Sequence, residues 1–281
     1  HHAHLASVLA EHKHPPGEPV IGVIFDGTGL GLDHAIWGGE ILVGGYSDFE
    51  RVAHLKYIPL PGGDAATMRP YRTALAHLWT ANIAWDDDLA PVTVASSEER
   101  TIIRQQLEKR LNAPFTSSMG RLFDAVAALI GVLQVVTYEA QGAILLEAQV
   151  DPAESGAYAF ELAASPGTGS PTLIDPAPLL RALLHDLRAG VAVPVIAARF
   201  HNGVVRMICD ACIQTRQNTG INIVGLSGGV FQNVTLTQRA FTALSDAGFT
   251  VYTHELVPTN DGGIALGQAV IAGYKTLNGE L

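Results

Sequence analysis

Apolar positions along the chain change period three times, and each change marks a boundary between kinds of element. The first eleven residues, His1 to Glu11, place apolar groups at helical spacing and run into a Pro15-Pro16-Gly17 linker. Three strand-like runs follow, Val20 to Phe25, Ala35 to Val43 and Val52 to Pro59, separated by glycine-rich turns of the kind that join antiparallel strands. From Ala65 to Glu147 the spacing turns helical, with Ala/Leu-rich stretches at Thr73–Trp79, Ser97–Leu111, Met119–Val136 and Glu139–Gln149. This block, about residues 65–150, reads as a helical insertion between strands. A strand at Tyr158 to Ala163, a loop at Pro166 to Pro171 and helices at Pro176 to Ala189 and Pro194 to Thr215 come next. The chain then alternates strand, helix, strand, helix: Ile221–Leu226, Thr235–Ala247, Thr250–Tyr252 and Gly262–Tyr274.

Three antiparallel strands followed by alternating helices and strands predict an α/β fold of the ribonuclease-H-like type, the layer from which actin-like (ASKHA) ATPases are built. In such a layer, ligands meet the ends of the central strands. The run Leu226-Ser227-Gly228-Gly229-Val230-Phe231-Gln232-Asn233 takes a buried strand into two glycines and a helix, where backbone N–H groups can reach phosphate or ribose oxygens. An ordinary tight turn has the same pattern. Asp26 ends the first strand in Phe25-Asp26-Gly27-Thr28-Gly29, where Gly27 and Thr28 open a turn that admits phosphate. Asp261 stands in Thr259-Asn260-Asp261-Gly262-Gly263, before the last helix. Each aspartate alone is equally a turn residue or an N-cap. Two in a fold that gathers strand ends point to a ligand.

The opening His1-His2-Ala3-His4 is either a tag remnant or the start of a helix, and its continuation into Leu5-Ala6-Ser7-Val8-Leu9-Ala10 argues for the helix. A neutral imidazole at His4 with carboxylates at Asp26 and Asp261 makes a mixed N/O set that suits iron, zinc or manganese better than calcium. Ser117-Ser118-Met119-Gly120-Arg121-Leu122-Phe123-Asp124 opens a helix, and Asp124 is either a bidentate acceptor for ribose hydroxyls or a first-turn acid favoured by the helix dipole. Leu60-Pro61-Gly62-Gly63-Asp64 is flanked by Lys56, Arg69 and Arg72, a set that either holds an anionic substrate or is simply solvated. With Asp26, Lys56 and Arg69 are the candidate catalytic residues.

Charge and composition narrow the partners. Seventeen basic against 27 acidic residues give a net charge of −10, with no Lys/Arg cluster that tracks a phosphate backbone, so nucleic acid is not expected as a partner. The longest apolar runs, such as Val126 to Val136, fall short of the roughly 20 residues that span a bilayer. No signal-peptide pattern heads the sequence, and the expected location is the cytoplasm. Cys209 and Cys212 form a C-x-x-C pair inside a helical stretch with no further ligands at zinc spacing, and read as reduced and partly buried.

Taken together, His-His-Ala-His, Phe-Asp-Gly-Thr-Gly, Leu-Pro-Gly-Gly-Asp, Ser-Ser-Met-Gly-Arg-Leu-Phe-Asp, Tyr-Glu-Ala-Gln, Ala-Arg-Phe-His, Ser-Gly-Gly-Val-Phe-Gln-Asn and Asn-Asp-Gly-Gly-Ile-Ala-Leu-Gly-Gln resemble the TsaD-like C-terminal domain of the HypF family, the carbamoyltransferases of nickel–iron hydrogenase maturation. The motifs run in the family's order over nearly the whole chain. The resemblance implies that an upstream HypF domain makes carbamoyl-adenylate (carbamoyl-AMP) from carbamoyl phosphate and ATP. It also implies that this domain passes the carbamoyl group to the C-terminal cysteine of HypE, on the way to cyanide ligands. On the same basis His4, Asp26 and Asp261 are metal ligands, Asp124 is a ribose contact, and Gly228, Gly229 and Asn233 line the adenosine pocket. The family's further metal-site His falls four residues before His4, at what would be residue 0. The resemblance therefore implies a fragment: residues 1–19 are a remnant of the first lobe, residues 20–281 the nucleotide-binding lobe, and the first part of the two-lobed domain is missing. An O-carbamoyltransferase acting on a small-molecule hydroxyl, or a nucleotide-binding module without activity, are the alternatives.

Overall fold

A computed structural model of the chain describes residues 1–163 and 170–279. Helix α1 (His2–Glu11) precedes three strands, β1 (Val20–Leu30), β2 (Ile36–Gly44) and β3 (Phe49–Leu55), and the short β4 (Ile58–Pro59). A helical block follows: α2 (Asp64–Met68), α3 (Pro70–Thr80), α4 (Ala90–Val94), α5 (Ser97–Lys109), the two-residue β5 (Phe115–Thr116), α6 (Met119–Leu129) and α7 (Gln141–Glu147). Then come β6 (Glu161–Ala163), β7 (Thr172–Asp175), α8 (Ala177–Arg188), α9 (Val193–Thr219), β8 (Ile223–Ser227), α10 (Val234–Asp246), β9 (Thr250–Tyr252) and α11 (Ile264–Leu277).

The strands form one mixed sheet in the order β6-β7-β3-β2-β1-β8-β9, with β5 paired to β2 and β4 to β5. The β1–β2 and β2–β3 pairs are antiparallel, while β1–β8, β8–β9 and β3–β7 are parallel. Central β1 is buried on both faces, which is why its sequence is a continuous apolar run rather than an alternation. Its residues still divide by parity. Ile21, Val23 and Phe25 enter the large core under the helical block, α8 and α9, whereas Val20 and Ile24 join Leu5, Val8 and Leu9 of α1 in a second core. Small residues let α1 lie close to the sheet. A Cβ on Gly22 would sit 2.8 Å from Leu5 Cδ1, and one on Gly267 of α11 would sit 1.9 Å from the Ala3 carbonyl oxygen.

The strand register puts the C-terminal ends of β1, β3, β7, β8 and β9 on one edge, the edge at which α/β sheets bind ligands. The three expected antiparallel strands, the inserted helices and the closing strand–helix alternation are all present. Boundaries move in instructive ways. The first strand runs on to Leu30, past the aspartate that seemed to end it, because Gly29 and Leu30 pair with Trp37 and Ile36 beyond a bulge. The helix expected over Met119–Val136 stops at Leu129, where the chain turns through Gly131 at φ +79°. Strand β7 was not foreseen, since the Pro166 to Pro171 loop obscured its start. Residues 166–169 of that loop lie outside the described residues.

Candidate metal centre and nucleotide cleft

Asp26 is where two halves of the candidate site meet. Its Oδ2 lies 3.1 Å from His4 Nε2, and its Oδ1 accepts N–H bonds from Gly27 at 2.8 Å and Gly229 at 3.3 Å. His4 Nε2 is also 3.7 Å from Asp261 Oδ1, and one ligand atom from each of His4, Asp26 and Asp261 falls within 4.8 Å of the others. Burial works to raise the Asp26 pKa, but the hydrogen bond and charge of His4 and the two glycine amides overcome it and hold the carboxyl below its ordinary range. The His4 side chain is 2% exposed, Asp26 13% and Asp261 80%, so the cluster opens to solvent on the Asp261 side. One imidazole nitrogen and two carboxylates with an open side form a donor set that fits zinc or iron, in the three-ligand pattern of catalytic sites.

The glycine turn is built for close approach. Gly228 takes φ +103°, and a Cβ there would meet the Phe25 carbonyl oxygen at 2.2 Å; one on Gly229 would sit 2.9 Å from Asp26 Oδ1. Only glycines let β8 turn under the end of β1 while giving an amide to Asp26. The Asp261 loop is tied to the same turn: Gly228 N–H donates to the Thr259 carbonyl at 2.9 Å, and Thr259 Oγ1 donates to the Gly228 carbonyl at 3.1 Å.

On the other side, the start of α6 packs against the Asp26–Gly27 backbone. Ser118 Oγ lies 2.8 Å from the carbonyl oxygens of both Asp26 and Gly27 and caps α6 by accepting from Arg121 N at 3.1 Å. The Arg121 guanidinium pairs with Asp124 through Nη2 at 2.9 Å, and a Cβ on Gly27 would sit 3.6 Å from that nitrogen; the Arg121 Nε is buried without a hydrogen-bond partner. Burial pushes the Asp124 carboxyl up to about 6 against the pull of Arg121. A Cβ on Gly142 would come within 2.9 Å of Asp124 Oδ1, so α7 borders the same place. A buried cation with an unused donor, a carboxylate and two helix starts are the groups a phosphorylated nucleoside requires.

The structure thus brings together His4, Asp26, Asp261, Gly27, Gly228 and Gly229, with Asp124 reached through Arg121. Thr28 is exposed on the continuation of β1. Asn233 turns inward: its Oδ1 caps α10 by accepting from Leu236 N at 2.8 Å, and its Nδ2 lies 3.0 Å from His201 Nε2. Lys56 and Arg69 are engaged elsewhere, Lys56 Nζ with Asp175 at 2.6 Å and Arg69 with Glu99 at 3.8 Å. Both cysteines lie within α9, and burial raises both thiols, Cys209 to about 11 and Cys212 further. Neither is a thiolate nucleophile at neutral pH.

Sequence reasoning passed over Arg121 as a ligand, and also Glu40, fully buried in β2. The Glu40 carboxylate accepts from the Gly38 and Gly39 amides at 2.6 Å each and from the Ser117 hydroxyl, and Arg51 lies 3.9 Å away. Burial drives its pKa up to about 7 against those partners. A glutamate inside an apolar strand that touches two glycines was the available signal.

Comparison with known proteins shows the family. Residues 22–268 match the family described as "Carbamoyltransferase, Kae1-like Domain, second subdomain". A carbamoyltransferase HypF of Rhodobacter capsulatus is 39% identical over 98% of this chain, and one of Synechocystis sp. is 38% identical over 95%. The chain spans about a third of the length of these curated relatives, 35% and 36%. A crystal structure of full-length HypF in the phosphate- and nucleotide-bound form superposes with a TM-score of 0.92 at 45% identity, over 98% of this chain and 42% of that one.

Proposed function

Since the chain belongs to the family of the second subdomain of Kae1-like carbamoyltransferase domains, we propose that it is the transfer site of a HypF-type enzyme. In this reading it holds carbamoyl-adenylate, made from carbamoyl phosphate and ATP by another part of the protein, and delivers the carbamoyl group to the C-terminal cysteine of HypE. The observation that carries the reading is the double engagement of Asp26, whose two oxygens face His4 and the Gly229 amide. One carboxylate thereby couples a cation corner to a phosphate-binding turn. The sheet order, three antiparallel strands followed by parallel β8 and β9, supports the ribonuclease-H-like, actin-like ATPase fold as its frame.

The residues divide the work by chemistry. His4, Asp26 and Asp261 would hold a zinc or iron ion, which when bound supplies Lewis-acid polarisation next to the phosphate and carbamoyl oxygens. Gly27, Thr28 and the amides after Gly228 surround the phosphoryl group, with Arg121 supplying the cation nearest to it. Asp124 receives the ribose hydroxyls, and Asn233 keeps the glycine turn joined to α10. The acceptor thiolate attacks the carbamoyl carbon, a C–S bond forms as the C–O bond to phosphate breaks, and AMP leaves with the electron pair. Hydrogen bonds aimed at the phosphate favour that departure.

The test is transfer of labelled carbamoyl from carbamoyl phosphate and ATP to a peptide bearing the HypE C-terminus, in the full-length protein. Wild type should label the peptide cysteine and Asp261→Ala should not. Labelling of an alcohol acceptor but not the peptide would replace HypE by a small-molecule substrate, and wild-type rates in Asp261→Ala would sink the metal assignment.

A further inference from the structure

Ser227, His254 and Glu11 form a hydrogen-bonded relay that has no place in the chemistry above. Ser227 Oγ lies 2.9 Å from His254 Nε2, and His254 Nδ1 lies 2.9 Å from Glu11 Oε2. A carboxylate only accepts, so the ring proton sits on Nδ1 and Nε2 accepts from the serine hydroxyl. Burial lowers the His254 pKa, in keeping with a neutral ring. The polarity is that of a Ser-His-acid triad, and the serine stands within Gly225-Leu226-Ser227-Gly228-Gly229, a G-x-S-x-G sequence. Two facts exclude nucleophilic chemistry. Ser227 is 0% exposed, and it is absent from the positive-φ residues, so it lacks the strained turn that lifts such a serine out of a sheet.

What the relay does is mechanical. Glu11 closes α1, the helix that carries His4, and its carboxylate also accepts the amides of Glu255 at 2.7 Å, of Leu256, and of Val257 at 3.4 Å. Those residues open the loop that ends at Asp261. Ser227 immediately precedes Gly228, whose backbone is doubly bonded to Thr259 of the same loop. At the loop's end, a Cβ on Gly263 would meet the Pro258 carbonyl oxygen at 2.4 Å and Ser7 Oγ of α1 at 3.2 Å, so the loop lies against the helix along its length. Asp261 itself is 80% exposed, and among the described residues its ion pair is with His4 at 3.7 Å. Its position relative to His4 and Asp26 is therefore set by its loop, and the loop by Glu11.

We infer that Glu11, with His254 and Ser227, is a positioning clasp that fixes the Asp261 loop against α1 and β8 and thereby sets the affinity of the His4–Asp26–Asp261 corner for a divalent cation. This rests on the metal reading of that corner. Partners of this kind, one shell out from the ligands, typically govern metal affinity by about 10- to 100-fold.

The experiment is a zinc titration of the protein against a chromophoric chelator, well below every variant's melting midpoint so that all are folded. Glu11→Ala should raise the zinc Kd about 10- to 100-fold, and Glu11→Gln, which keeps two acceptor lone pairs, should recover most of it. The Glu11→Ala/Asp261→Ala double variant should bind no more weakly than Asp261→Ala alone, because Glu11 acts through that ligand. If Glu11→Ala does not fold, Ser227→Ala, which deletes only the last link, is judged by the same cycle. A zinc Kd within twofold of wild type despite a lowered melting point, or losses that add in the cycle, would overturn the clasp and leave the metal reading intact. Wild-type protein that binds no zinc overturns both.

Discussion

Asp26 and Glu40 stand on adjacent strands near the same edge of the sheet, and the structure drives their protons in opposite directions. Asp26 is held below the ordinary aspartate range, while Glu40 rises to about 7. Both accept two backbone amides, so hydrogen bonding does not separate them. Position does. Asp26 keeps an oxygen toward His4 and an open side, where a cation or a ligand can join it. Glu40 is sealed within β2, bonded by Ser117 and two glycine amides, with the buried His1 Nε2 3.4 Å and the Arg51 charge 3.9 Å away. The first acid is arranged to meet something outside the chain; the second braces the Ser117–Ser118 turn, whose second serine holds the Asp26 and Gly27 carbonyls. Two carboxylates of one edge thus divide into one left open to a ligand and one that serves as a strut.

Replacing Asp26 should have the largest effect. If Asp26 ligates the cation of the proposed transfer site, its removal, which also frees the Gly229 amide, forfeits several kcal/mol of transition-state stabilisation, so Asp26→Ala should lower carbamoyl transfer by about three decades or more. Its melting temperature should fall as well, since His4 and two amides lose their acceptor, but transfer should suffer far more. Glu40 should show the reverse. Glu40→Ala leaves Ser117 and two amides without an acceptor in a sealed site, for a loss of about 3 kcal/mol in urea denaturation. Glu40→Gln keeps an acceptor and sheds the buried charge, so it should lose less than about 1 kcal/mol. If Glu40→Gln abolishes transfer while folding normally, the division between ligand and strut fails.

The same division explains what could be read from the residues. Element order and type were legible because central strands such as Val20 to Phe25 are continuous apolar runs and the inserted helices keep their period. Asp26, Asp261 and the glycine pair were legible because turns at strand ends advertise themselves. Glu40, Glu11 and Ser227 were not, since their partners lie 77, 243 and 27 residues away in Ser117, His254 and His254. Register, not local pattern, brings them together. Asn233 is ambiguous in the other sense: its place after Gly-Gly-Val-Phe-Gln resembles a ligand contact, and a helix start also asks for asparagine.

A pH profile separates the two acids without a ligand. Between the ordinary glutamate value of 4.5 and about 7 the unfolded chain has released the proton that folded Glu40 still holds. Glu40 therefore favours the folded state fully below 4.5, and its contribution is lost as pH rises to about 7, a fall of roughly 3 kcal/mol that then levels off. Asp26 has the opposite sign: its depressed pKa stabilises the fold above the unfolded value and is lost as pH falls through the folded one. Between pH 4.5 and 7 the stability difference between wild type and Glu40→Gln should change by this amount, over a background that Asp124 and the buried histidines give both, whereas Asp26→Asn should keep the wild-type slope. An unchanged slope in Glu40→Gln would place the titrating group elsewhere.

Asn233 gives the smallest and sharpest case, because ligand and strut make different predictions at a single side chain. Its Oδ1 caps α10 and its Nδ2 meets the buried His201, whose Nδ1 is already bonded to the Ala197 carbonyl. Asn233→Ala should therefore cost about 1–2 kcal/mol of stability, the usual worth of a cap. Asn233→Asp keeps the cap but gives up the Nδ2 contact with His201, so it should recover only part of that loss. AMP affinity by calorimetry should fall no more than a few-fold in either, through loosening of the Gly228–Gly229 turn that the residue closes. A variant with wild-type stability and no AMP binding would move Asn233 back among the direct contacts, and with it the boundary between groups that face the nucleotide and groups that hold the chain around it.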